Sequence, residues 1–106
     1  MQIQRGDKVL VSLDPVKGSE QGKTRPCIIV QNDIGNTFGS TTIIVPLTTN
    51  ISKIYPTDVL IEGNSRADCG QIRTIDKIRI IKKIGKITAE ELKNLDESLK
   101  ISLSLN

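Results

Sequence analysis

The sequence predicts a mainly β protein, a small and strongly bent sheet or barrel, closed by one C-terminal helix. Three observations carry that expectation. The apolar runs are short and rich in β-branched residues, Gly, Asn, Asp and Pro punctuate them at close intervals, and the hydrophobic period changes after Ile87. At 106 residues the chain has room for one domain, 1–106, around one modest core.

The elements follow in order. In "KVLVSL" Val9, Val11 and Leu13 alternate, as in a half-buried strand, whereas "CIIV" (27–30) and "TTIIVPLT" (41–48) are continuous runs expected of strands buried on both faces. After the turn-like "TTNISKIYP" come "TDVLIE", a Gly-Asn turn, "ADCGQIRTI" and "RIIKKIG", six or so strands in all. Within "QIRTID" the polar Gln71, Arg73 and Thr74 are expected to face away from Ile72 and Ile75. The end of the chain reads as a helix. Thr88 and Glu91 have the spacing of a capping box, Ile87 and Leu92 that of a hydrophobic staple, and Leu92, Leu95, Leu99 and Leu103 line one face.

Composition removes several classes of function. No apolar stretch approaches the ~20 residues of a membrane span, and "MQIQRGDK" lacks the apolar segment of a secretory signal, so a cytoplasmic protein with no membrane partner is expected. The balance of 15 Lys+Arg against 12 Asp+Glu, with pI about 9.0, suits a polyanionic partner without requiring one. There is no histidine, so Cys27 and Cys69 can build neither a zinc site of the usual kind nor a Cys-His nucleophile pair, and both are expected as buried free thiols. Catalysis, if any, must run on arginine, carboxylates, hydroxyls or backbone dipoles. The acidic residues are too scattered for a two-metal phosphodiesterase site, and no metal or cofactor is expected. "GSEQGKT" is no phosphate-cradling P-loop, because its first glycine is one position too close and a strand follows where a helix should begin.

One stretch stands apart. "GSEQGKTRP" (18–26) is a polar, glycine-containing loop that ends in an arginine restrained by the following proline, directly before an apolar strand. Arg25 is thus a fixed, always-charged planar donor, the group that grips two phosphate oxygens at once. Thr48, with Thr49 and Asn50 after it, closes the third strand, where a hydroxyl can donate to phosphate or simply cap a turn. Taken singly, each of these residues, like Gln71 and Arg73, also fits an ordinary solvated surface.

Together their order is specific. "RGDKVLVSLDPVKGSEQGKTRPCIIVQNDIGN", "TTIIVPLT", "QIRTIDKIRI" and the capped terminal helix resemble the MazF/PemK family of toxin endoribonucleases over nearly the whole chain, from Arg5 to about Leu105. The resemblance implies an SH3-like small β-barrel of the MazF/PemK/CcdB kind, a homodimer, and metal-independent, sequence-specific cleavage of single-stranded RNA (mRNA). The RNA's 2′-hydroxyl would attack the adjacent phosphorus, leaving 2′,3′-cyclic phosphate and 5′-hydroxyl ends. It implies Arg25 and Thr48 as catalytic residues, with Ser19, Glu20, Gln21, Lys23, Thr49, Gln71 and Arg73 supporting the site or contacting RNA. A cognate antitoxin with an acidic, disordered tail is the implied protein partner. The PemK-style acid/base residues are absent: Ser19, Asp68 and Gly70 stand at their positions. A CcdB-like gyrase-binding toxin and a non-catalytic SH3-like RNA- or protein-binding module are the alternatives.

Overall fold

The computed structural model describes residues 1–106. The strands are β1 (Asp7–Ser12), β2 (Thr24–Ile29), β3 (Thr41–Thr48), β4 (Asp58–Ile61), β5 (Ser65–Asp68), β6 (Arg73–Asp76) and β7 (Ile80–Lys86); the helices are α1 (Asp33–Phe38) and α2 (Ala89–Ser102). All pairings are antiparallel, in the order β4-β5-β3-β2-β1-β7, with β6 also on β3.

The bend lies at β3. Thr41 to Ile44 pair with β6, and Leu47 and Thr48 pair with β5, so two successive strands share one edge of β3. The run "ADCGQIRTI" is therefore two strands rather than one, broken by a 3₁₀ turn at Cys69–Gln71 that Asp68 caps by accepting from Gly70 N–H at 3.0 Å. A β-carbon at Gly70 would lie 3.2 Å from the capping Asp68 Oδ1, a tight contact that glycine avoids.

Burial on both faces of β2 and β3 follows from their apolar runs. Ile28, Val45 and Leu47 join a cluster under α2 with Val59, Ile61, Ala67 and Leu95, while Cys27, Ile29 and Ile44 face a second cluster with Val9, Val11, Leu13 and Ile75. Thr88 and Glu91 form the reciprocal capping box at the start of α2. Leu95 is fully buried, and Leu92 and Leu99 pack beside it, but Leu103 lies past the last turn and is half exposed. Full burial of one such leucine contributes about 1.5–3 kcal/mol.

Two polar segments prove to be scaffold. In "QNDIGN" Asn32 caps α1 through Gly35 N–H, and Asn36 is buried with its amide oxygen accepting from Thr42 Oγ1 at 2.7 Å. Arg5 donates to Val30 O at 2.8 Å and to Asp96 Oδ1 at 2.7 Å, tying the N-terminus to α2. Gly6 follows at φ 93°, a conformation that favours glycine, with its carbonyl accepting from Ile87 N–H. No helix is long and apolar enough to cross a membrane.

Candidate active site

The loop between β1 and β2 is held firmly at its base. Leu13 N–H donates to Lys23 O at 2.9 Å and Lys23 N–H to Asp14 Oδ1 at 2.7 Å, with Lys23 in the left-handed region at φ 64°. That turn delivers the chain into β2 two residues before Arg25. Arg25 sits opposite Val11, and its guanidinium is pinned: Nε donates to Gly22 O at 2.9 Å and Nη1 to Leu47 O at 3.4 Å. The tip of the loop has much less support, since Gln21 N–H to Gln71 Oε1 at 3.3 Å is its one hydrogen bond to the far wall.

Thr48 reaches the same place from β3. Cys27 pairs with Pro46, and continuing that antiparallel register by two residues sets Arg25 level with Thr48. Alternation puts Ile44, Pro46 and Thr48 on one face of β3. Ile44 and Pro46 floor a cleft of about 220 Å³ whose walls are Leu13, Glu20 and Gln21 on one side and Gly70 to Arg73 on the other. Thr48 continues that row towards Arg25. Its Oγ1 accepts from Asn50 N–H at 3.2 Å, and its own proton goes to no protein acceptor.

Charge distinguishes this region from the rest of the surface. Two of the arginines are neutralised by carboxylates, Arg5 by Asp96 at 2.7 Å and Arg66 by Asp58 at 3.3 Å. The other three, Arg25, Arg73 and Arg79, make no salt bridge and are steered by main-chain carbonyls alone. Arg73 donates to Leu13 O at 2.9 Å, and Arg79 to Ser12 O and Asp14 O at 3.2 and 2.7 Å. A carbonyl orients a guanidinium without cancelling its charge, so three fixed cations surround the base of one loop. Arg25 keeps its Nη2 group with no protein partner.

The thiols add no reactivity. Burial pushes Cys27 up to about 12, against the opposing pull of the nearby Arg25 and Arg73 charges, and it pushes Cys69 up to about 12 with help from Asp58 and Asp68. Both are free, buried and neutral. No three His, Cys, Asp or Glu side chains converge as metal ligands.

Of the residues expected at the site, Glu20, Gln21, Gln71 and Arg73 line the cleft, while Arg25 and Thr48 stand beside it. Ser19, Lys23 and Thr49 are exposed and outside it: Ser19 at the loop tip, Lys23 at the loop base and Thr49 past the end of β3. The face expected for "QIRTID" is corrected in part. Arg73 shares the inner face of β6 with Ile75, two residues on, as strand alternation requires, and of the three polar residues only Thr74 points outward. Arg79 was not foreseen. It follows β6 in a second 3₁₀ turn at Lys77–Arg79, and its recurrence six residues after Arg73 was the available signal.

Comparison with known proteins places this geometry in a group. The profile of the PemK-like, MazF-like toxin of type II toxin-antitoxin systems matches residues 4–103. Endoribonuclease EndoA of Bacillus subtilis (strain 168) is 44% identical, covering 99% of this chain and 97% of that protein. MazF from Deinococcus radiodurans superposes with a TM-score of 0.88 at 21% identity over 99% of each chain. A mycobacterial endoribonuclease, solved in complex with its cognate antitoxin, superposes at 0.85 and 21% identity over 98% of this chain and 97% of that one.

Proposed function

The chain belongs to the PemK-like, MazF-like toxin family of type II toxin-antitoxin systems, and from that premise we propose that it is an endoribonuclease whose cleft cuts single-stranded RNA without a metal. The observation that carries the mechanism is the trio of carbonyl-steered, acid-free arginines at the base of the loop that walls the cleft. Phosphodiester anions are the complement of such an array.

In this reading the 2′-oxygen attacks phosphorus, the P–O5′ bond breaks, and the products carry a 2′,3′-cyclic phosphate and a 5′-hydroxyl. Negative charge grows on the non-bridging oxygens during attack. Arg25, pinned through Nε and Nη1 with Nη2 open, stabilises that charge more in the transition state than in the ground state. Thr48 adds a neutral hydrogen bond from its uncommitted proton, and Arg73 and Arg79 hold neighbouring phosphates. Glu20 is the one carboxylate lining the cleft and makes no salt bridge, so it is the group placed to take the 2′-hydroxyl proton. A guanidinium is a poor proton acceptor.

The remaining parts of the reading rest on membership of the family. Residues 1–106 act as one toxin domain, as a homodimer, in the cytoplasm on mRNA. The cognate antitoxin presents an acidic, disordered tail that competes with RNA for the three arginines. The test is to incubate the purified protein with a long RNA in excess EDTA and sequence the new ends. Discrete cuts with cyclic-phosphate and 5′-hydroxyl ends are expected; cleavage that vanishes in EDTA and returns with magnesium, or no cleavage at all, would overturn the proposal.

A further inference from the structure

We infer that Arg66, outside the cleft, is a positioning residue that orients the Thr48 hydroxyl; this inference rests on the catalytic reading of Thr48 above. Arg66 stands opposite Thr48 across the β3–β5 ladder. Its Nε donates to Asn50 O at 3.0 Å, and Nη1 donates to both Asp58 carboxylate oxygens at 3.3 Å, with Asp68 Oδ2 at 3.8 Å. The arginine side chain is 14% exposed and that of Asp58 only 1%.

The consequence runs through one residue. Asn50 is gripped from two sides, its carbonyl by Arg66 and its N–H by Thr48 Oγ1. A hydroxyl has one proton to give, and accepting from Asn50 turns the Thr48 lone pair inward and leaves that proton to point away. Fixing Asn50 therefore fixes the direction in which Thr48 can donate. The other end of the cluster is braced as well, since Asp58 Oδ2 accepts from Tyr55 N–H at 2.8 Å and Ser98 Oγ donates to Asp58 O at 3.3 Å. Asp68, the second carboxylate near Arg66, caps the turn that carries Gln71 into the cleft. Desolvation offsets most of the attraction in a buried ion pair, so the effect of this cluster is on geometry more than on net stability.

The experiment is a double-mutant cycle on cleavage of a fluorogenic oligoribonucleotide, with kcat and KM measured for wild type, Thr48→Ala, Arg66→Gln, Arg66→Lys and Thr48→Ala/Arg66→Gln. Arg66→Gln should lower kcat by about 5- to 10-fold, the scale of one neutral hydrogen bond, as Thr48→Ala does, with KM within about twofold. The double variant should be no slower than either single one. Arg66→Lys should recover little, because one ammonium cannot hold Asn50 O and the Asp58 carboxylate together. If Arg66→Gln does not fold, the neutral pair Arg66→Met/Asp58→Asn, which keeps an acceptor for Tyr55 N–H, is measured by the same criteria. Losses that add, or an unchanged kcat on removing Arg66 while Thr48→Ala is slow, would overturn the role of Arg66 alone. An unaffected Thr48→Ala would overturn the catalytic reading of Thr48, and this inference with it.

Discussion

Neutralising Arg73 should flatten the salt dependence of RNA binding, and neutralising Arg5 should not. Both are arginines of the same chain, but Arg73 is steered by Leu13 O and Arg5 is paired with Asp96 at 2.7 Å. A cation already paired with a carboxylate releases few counterions when RNA arrives. Single-stranded binding loses about 0.7 in log affinity per log salt for each phosphate neutralised, so the Arg25, Arg73 and Arg79 trio predicts a slope of about −2 per site. Raising salt from about 50 to 200 mM should then weaken wild-type binding by about 18-fold, and Arg73→Gln binding by about 7-fold. Fluorescence anisotropy with a 2′-O-methyl oligoribonucleotide, which has no attacking hydroxyl, gives the slopes directly. Equal slopes for Arg73→Gln and wild type, or equal flattening by Arg5→Gln, would show that the charge partition described above does not govern binding.

Two further outcomes are expected. Glu20→Gln should lower kcat by about 100-fold or more while leaving affinity for the 2′-O-methyl oligoribonucleotide nearly unchanged, as loss of a general base does; stopped-flow cleavage with wild-type rates would remove Glu20 from that role. The thiols predict alkaline weakening. Cys27 and Cys69 are raised from 9.0 to about 12, so the unfolded chain loses their protons first, and stability falls as pH rises from about 9 towards 12. Between about pH 8 and 10 the two together should account for about 3 kcal/mol, at about 1.4 kcal/mol each. Urea unfolding of Cys27→Ala/Cys69→Ala should show a correspondingly shallower decline than wild type, and parallel declines would contradict the assignment.

What the sequence made legible was local. Alternation marked β1, continuous apolar runs marked the doubly buried β2 and β3, and the Thr88–Glu91 spacing marked the start of α2, because each signal comes from neighbours within one or two turns. The corner at Cys69–Gln71 was not legible, since a single glycine inside a short run does not by itself signal a break, and the break is set by two partners along β3. α1 was hidden because Asn32 and Asn36, poor helix formers, are there as a cap and a buried bridge to Thr42. At the site, Arg25 was visible through its proline and Thr48 through its place at a strand end. The charge contrast between Arg73 or Arg79 and Arg5 or Arg66 was not, because it depends on which residues the fold sets within reach of a carboxylate or a carbonyl.

The most direct test of the mechanism is the single-turnover cleavage rate of Arg25→Ala at saturating protein. Loss of one pre-organised charge-stabilising donor should slow the bond-breaking step by about 100-fold or more, with Arg25→Lys recovering only part of the rate. An Arg25→Ala protein that cleaves the same RNA at a rate close to wild type would contradict the account.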